Sequence, residues 1–286
     1  MKKTLLFSLL FSLFFSTPPS WGSRGPLWGN RNGIFCGAEG VSFKVNLWNE
    51  GEISDPDYNE AVLHCFLPDK PTGKAVIACP GGAYLYLCMT YEGCDFAPIL
   101  NKEGIALFVL QYRLPKGRST VPLADARQAM RYVRSHAEEW GIKEVGIMGS
   151  SAGGHLASTL ATHIIDDETR PDFQVLLYPV VSMQDGVTHK ESRLALLGNN
   201  PTQELKDEYS NQMCVTKFTP KAFIVLASGD RGVIPKNSLD YAEALVANCV
   251  NVDLHMYEGG YHGFGCRTDY SEHDQWLGEL LYWLKK

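Results

Sequence analysis

Five short, nearly uninterrupted apolar runs constrain this chain more than any other feature: residues 75–79 (AVIAC), 105–111 (IALFVLQ), 145–148 (VGIM), 175–178 (VLLY) and 222–227 (AFIVLA). A strand with one face in water alternates apolar and polar residues, so runs apolar at almost every position belong to strands covered on both faces, as in a parallel sheet. Stretches with helical spacing separate them, notably 123–140, where Ala126, Met130, Val133 and Ala137 recur every three or four residues. Alternating strands and helices joined by right-handed crossovers predict a single-domain, doubly wound α/β sheet with helices on both faces, whose ligands lie beyond the carboxyl ends of the strands. Residues 41–48 largely alternate and 60–67 are mostly apolar, which predicts an antiparallel pair at one sheet edge. The final helix, 273–284, places Trp276, Leu277, Leu280, Leu281 and Leu284 on one side for core packing, and the polar stretch 182–219 is predicted to form an excursion over the site.

The first residues read as a secretory signal. Lys2 and Lys3 precede an uncharged run over 4–15, too short for the roughly 20 residues a membrane helix needs. Small residues, Ser20 and Gly22, stand where a signal peptidase would cut, so residues 1–22 are predicted to be removed and the product to be secreted or periplasmic. Residues 23–40 lack periodicity and are expected to lie as an irregular leader on a catalytic domain over 41–286. No second membrane run follows, so no stable membrane insertion is expected.

A net charge of −6 over 286 residues and a pI near 5.8 offer no basic surface for nucleic acid and suit a neutral or weakly polar substrate. The eight cysteines permit disulfides in a secreted chain. Cys65 and Cys79 sit in apolar runs and read as buried small hydrophobes, whereas Cys88 and Cys94 flank a loop that a bridge could close. There is no C-x-x-C pair and no H-E-x-x-H, so no metal site is expected.

The chemistry centres on Gly149-Ser150-Ser151-Ala152-Gly153, a G-x-S-x-G between an apolar strand and a helix-forming stretch. A serine in such a turn is pushed outward with its hydroxyl exposed, so Ser151 is the candidate nucleophile. A hydroxyl reacts poorly at neutral pH without a histidine to take its proton and a carboxylate to fix that histidine's tautomer. His262, in the loop Gly259-Gly260-Tyr261-His262-Gly263 after an apolar strand, is the candidate base. His155, one helical turn after Ser151, is expected to pack beneath the elbow. Asp230, at the end of the run 222–227, is the candidate carboxylate, while Asp240 and Asp253 read as solvated charges. The order Ser151, Asp230, His262 is that of α/β-hydrolases. Backbone N–H groups must receive the oxyanion; Ala152 is one candidate, and Gly82 and Ala83 in Pro80-Gly81-Gly82-Ala83-Tyr84 are the others. Tyr84 is a candidate substrate contact, with packing beneath its loop as the alternative.

Over residues 75–285 the chain resembles the α/β-hydrolase carbohydrate esterases related to bacterial acetyl xylan esterases. The resemblance rests on PGGAY, YRLPKG, VPLADARQAMRYVRSHAEEWGI, MGSSAGGHLAS, RPDFQVLLYPV, SGDRGVIPKNS and GGYHGFG. It departs from the pattern at Ala83, where a third glycine is common, and at Arg231, where a second acidic residue is common. The resemblance implies a serine esterase that removes acetyl groups from an acylated carbohydrate such as xylan, with no cofactor. Alternatives are a peptidase of the prolyl-oligopeptidase type, a short-chain lipase and a catalytically inactive glycan-binding homologue. The oligomeric state is not readable from the sequence.

Overall fold

The computed structural model describes residues 40–48 and 60–286. The predicted signal segment, most of the leader and Cys36 lie outside them. Eight strands form one sheet: β1 (Val41–Asn46), β2 (Val62–Leu67), β3 (Lys74–Cys79), β4 (Ala106–Gln111), β5 (Glu144–Ser150), β6 (Gln174–Leu177), β7 (Ala222–Ala227) and β8 (Val252–Tyr257). Their spatial order is β1-β2-β4-β3-β5-β6-β7-β8. β2 is antiparallel to β1 and β4, and the remaining pairings are parallel. The predicted edge pair is therefore present.

The continuous apolar runs follow from this layering. Ala75, Ile77 and Cys79 of β3 face one core layer, together with Met130 and Val133 of helix α2 (Thr120–Ser135) and Leu156 and Leu160 of helix α3 (Ala152–Thr162). Val76 and Ala78 face the opposite layer, with Leu100 of α1 (Ala97–Lys102) and Trp276, Leu277 and Leu280 of α7 (His273–Leu284). Both faces of the central strands are buried, which favours apolar residues at almost every position. The edge strand β8 is different, with Asp253, Leu254 and Met256 exposed.

Several boundaries differ from the sequence expectation. α2 begins at Thr120 and stops at Ser135, before Trp140, because the chain turns back there: the Ile142 N–H donates to the Ala137 carbonyl at 2.7 Å, and Gly141 adopts φ +66°. Tyr178 leaves β6 at φ +36°. The excursion 182–219 carries α4 (Lys190–Leu197), α5 (Gln203–Glu208) and a short 3₁₀ turn. No disulfide joins any two described cysteines, Cys88 and Cys94 included. Cys65 and Cys79 are buried, and burial raises the Cys65 thiol to about 12.

Packing of α3 on the sheet depends on one missing methyl. A Cβ on Gly153 would lie 1.9 Å from the Cys79 carbonyl oxygen, so α3 could not approach β3 if any other residue stood there. Below the elbow His155 is buried. Tyr209 accepts from Nε2–H at 2.8 Å, and Nδ1 accepts from the Tyr84 hydroxyl at 2.9 Å.

Burial lowers His155 from its ordinary 6.5 to about 4, and lowers the strand residue His64 equally. The unfolded chain takes up these protons below pH 6.5, whereas the folded chain does so only near pH 4, so stability is lost on acidification through that window. For His155 alone the loss is about 3 kcal/mol. The urea midpoint, followed by circular dichroism, is expected to fall steadily from pH 6.5 to 4. A flat midpoint would contradict two neutral buried imidazoles.

Candidate active site

Each predicted site residue sits where a strand ends. Ser151 joins β5 to α3 at φ +53°, ψ −120°, a conformation that costs a non-glycine residue on the order of 1–3 kcal/mol. Neighbouring backbone holds it there: the Ser151 N–H donates to the Leu177 carbonyl at 3.0 Å, and the Ser151 carbonyl accepts from Val180 at 2.9 Å and His155 at 3.2 Å. Asp230 follows β7 and His262 follows β8.

The three side chains are hydrogen-bonded in series. The Ser151 hydroxyl lies 2.8 Å from His262 Nε2, and His262 Nδ1 lies 2.7 Å from Asp230 Oδ2. A carboxylate can only accept, so Nδ1 carries the hydrogen and Nε2 presents its lone pair to the serine. The other carboxylate oxygen, Asp230 Oδ1, accepts from the N–H groups of Gly232 at 2.8 Å and Val233 at 3.0 Å. The Asp230 side chain is 1% exposed and that of His262 27%, so the carboxylate is fixed inside while the imidazole edge reaches the cleft.

The loop after β3 supplies the opposite wall. Gly82, Ala83 and Tyr84 take φ of +128°, +56° and +61°. The Gly81 and Gly82 carbonyls accept from Cys88, and from Leu85 and Tyr86, respectively, which closes the loop on itself. Among the described residues, the N–H groups of Gly82, Ala83 and Ala152 meet no protein acceptor. Gly82, Ala83 and Ser151 line one cleft of about 370 Å³, and Ala152 is the first residue of α3 beneath the serine.

Tyr84 does not line that cleft. It is 2% exposed and faces away, its hydroxyl on His155 and its ring edge-on to Tyr112 at 6.0 Å. Substrate contact is thereby corrected to packing beneath the loop. Tyr86, two residues on and 61% exposed, lines the cleft instead.

Several cleft residues carry no sequence signal. The excursion contributes His189, at the start of α4. Tyr261 comes from the histidine loop. Arg267 lies over the Tyr91 ring at 4.0 Å, and these two residues separate the cleft from a neighbouring depression of about 640 Å³ that also includes Asp95, Asp269 and His273. Glu92, buried at the base of the cleft, accepts the Gly81 N–H at 2.8 Å and the Tyr178 hydroxyl at 2.8 Å. A Tyr-Glu-Gly triplet downstream of the Gly-Gly turn is the only trace of Glu92 in the sequence, and nothing there says that it folds back beneath that turn. Among the described residues no group of three or more His, Cys, Asp or Glu side chains is placed to hold a metal ion.

A sequence profile of the alpha/beta hydrolase fold matches residues 81–265. The chain belongs to this family. It is 42% identical over 249 residues to the acetylxylan esterase of Xylanibacter ruminicola, an alignment covering 85% of this chain and 50% of that protein. It is 31% identical over 251 residues to endo-1,4-beta-xylanase B of Butyrivibrio fibrisolvens, covering 79% of this chain and 38% of that one. The chain thus spans half or less of the length of these two relatives. Among solved structures it is similar to an acetyl ester-xyloside bifunctional hydrolase from Caldicellulosiruptor lactoaceticus, with 33% identity, a TM-score of 0.79, and coverage of 86% of this chain and 96% of that one.

The fit around Gly81 is tight enough to test. A Cβ there would lie 2.6 Å from Glu92 Oε2, 2.7 Å from the Ser150 carbonyl oxygen and 2.9 Å from Ser151 Cβ. Gly81→Ala is expected to destabilise the protein by about 2 kcal/mol, read from urea unfolding at neutral pH. An unchanged midpoint would mean that the loop does not press against the elbow in this way.

Proposed function

We propose that the protein is a secreted serine esterase that removes acetyl groups from xylan-type polysaccharide or oligosaccharide through an acyl-enzyme. The observation that carries this reading is the hydrogen-bonded series Ser151–His262–Asp230, beside N–H groups that meet no protein acceptor among the described residues.

In the proposed reaction His262 Nε2 takes the hydroxyl proton as Ser151 Oγ bonds to the acetyl carbonyl carbon. The carbonyl oxygen becomes an oxyanion and is received by the N–H groups of Gly82, Ala83 and Ala152, fixed donors that need no reorganisation. The carbon–oxygen bond to the sugar then breaks, and the sugar oxygen leaves with the proton from Nε2. Water enters, gives a proton to His262 and attacks the acetyl carbon. Collapse of the second tetrahedral species returns the proton to Ser151 and releases acetate. Asp230 keeps the imidazole in the required tautomer and stabilises the imidazolium formed twice in the cycle. The chemistry needs no cofactor.

The carbohydrate assignment is supported by the names of the similar proteins and by the cleft rim. Tyr86, Tyr91 and Tyr261 offer the flat amphipathic faces on which sugar rings rest, and the adjoining depression with Asp95, Asp269 and Arg267 could hydrogen-bond a chain longer than one sugar. Secretion is supported by the signal-like first 22 residues.

Ser151→Ala is expected to lower kcat on 4-nitrophenyl acetate by at least about 10⁴-fold while the circular dichroism spectrum stays unchanged. Near-wild-type turnover would refute the acyl-enzyme. Across acetate, butyrate and octanoate esters, assayed beside acetylated xylan, the short chain is expected to be preferred, and preference for octanoate would point to a lipase. Tyr86→Ala and Tyr261→Ala should each raise KM for acetylated xylo-oligosaccharides about fivefold, and by more than they raise it for 4-nitrophenyl acetate. Equal effects on both substrates would remove the tyrosines from sugar recognition.

A further inference from the structure

The acyl-transfer chemistry just described leaves one buried acidic group of the cleft unused. Glu92 is 3% exposed, lines the catalytic cleft, and forms no ion pair among the described residues. A buried carboxylate without a cation is costly unless its oxygens are well supplied with donors.

Its hydrogen bonds bring a donor to each oxygen. The Tyr178 hydroxyl donates to Glu92 Oε1 at 2.8 Å, and its oxygen accepts from the Gly265 N–H at 2.8 Å. The Gly81 N–H donates to Oε2. Both oxygens act as acceptors, an arrangement that suits an ionised carboxylate. Burial is the largest influence and on balance raises the acid's pKa, while the Tyr178, Gly81 and Cys88 hydrogen bonds and the charge of a protonated His262 act in the opposite direction.

The contacts also join three separate segments. Gly81 directly precedes the donors Gly82 and Ala83. Tyr178 directly follows β6, and its ring meets the His262 ring edge-on at 5.0 Å and the Phe264 ring at 4.5 Å. Gly265 lies three residues beyond His262 in the last loop. One carboxylate thus links the wall that would receive the oxyanion to the loop that carries the base.

We propose that Glu92 is an ionised positioning residue: through Gly81 and Tyr178 it holds the oxyanion loop and the histidine loop in register, and its charge favours the imidazolium that forms during proton transfer. The proposal rests on the esterase reading of the site. The titratable groups around Glu92 and His262 are Tyr86, Cys88 and Tyr91 from the loop of Glu92, Tyr112 after β4, Tyr178 after β6, His189 at the start of α4, Asp230 on His262, and Tyr261, His262 and Arg267 from the last loop. Only Arg267 and the two histidines can bring positive charge. Of these, His262 is the one whose ring rests against Tyr178, the residue that binds Glu92 directly.

Glu92→Gln, Glu92→Asp and Tyr178→Phe in the full chain separate tie from charge, with 4-nitrophenyl acetate as substrate and circular dichroism as the folding control. Glu92→Gln is expected to lower kcat about tenfold with KM within about twofold, and to move the acid limb of the kcat/KM profile about half a unit to lower pH, because lost negative charge disfavours the imidazolium. Tyr178→Phe keeps the charge, so kcat should fall with the acid limb in place. Glu92→Asp should restore the limb without restoring kcat. Wild-type kcat in Glu92→Gln, or a fall in kcat with no movement of the limb, would overturn the proposal. Should Glu92→Gln fail to fold, wild-type kcat in both Tyr178→Phe and Glu92→Asp would overturn it equally. Wild-type protein as inert as Ser151→Ala would instead refute the esterase reading and this proposal with it.

Discussion

The contact on which the rest of this structure depends is the close approach of α3 to β3 at Gly153, where any side chain would run into the Cys79 carbonyl oxygen. Because α3 can come that near, the chain has to turn sharply at Ser151, and the turn is held at positive φ by hydrogen bonds to Leu177, Val180 and His155. A strained residue persists only where its surroundings over-determine it. Here the strain points one hydroxyl out of the sheet's carboxyl edge, above the helix N-terminus at Ala152 and beside the loop that begins at Gly81. The parallel pairing of β3, β5, β6, β7 and β8 then brings five strand ends to the same edge, so residues far apart in the chain meet there.

Polar groups at this edge are graded by exposure, and the grading suits proton transfer. Asp230 is sealed in and saturated with donors, and His262 is partly open to the cleft. The imidazole can therefore exchange protons with a substrate or water without the carboxylate being solvated. Below the elbow the same histidine chemistry is suppressed: His155 has both ring nitrogens occupied and burial holds it neutral. The two imidazoles thus have opposite characters because one stands at the edge of the sheet and the other beneath it.

Much of this was legible in the residue pattern, and for identifiable reasons. Apolar runs such as AFIVLA at 222–227 mark strands buried on both faces because only a two-sided core removes the need for alternation. Glycines around Ser151 mark a crowded turn, and Asp230 and His262 could be picked out by their place directly after strands. Local spacing also assigned His155 to packing, one helical turn from the elbow. What could not be read were contacts that depend on how loops fold back. Tyr84 and Tyr86 are separated by one residue in a polar-neutral loop. Three successive positive φ values send Tyr84 inward to His155 and leave Tyr86 on the cleft, a reversal that no periodicity encodes. The helix expected over 123–140 ends at Ser135 instead: Ala137 keeps the helical spacing even though the chain has already turned.

The sequence by itself determined the layered α/β architecture, the strand-to-helix elbow and the order of its three polar side chains, since each is written in local pattern: burial period, glycine placement, position after a strand. Tertiary structure alone decided which tyrosine faces the cleft, that Cys88 and Cys94 stay unbridged to one another, that the excursion lends His189 to the site, and that Glu92 ties Gly81 to Tyr178 and Gly265. Those features arise from distances between segments remote in the chain. Such distances are fixed only when the sheet register brings the segments together, and no residue announces them in advance.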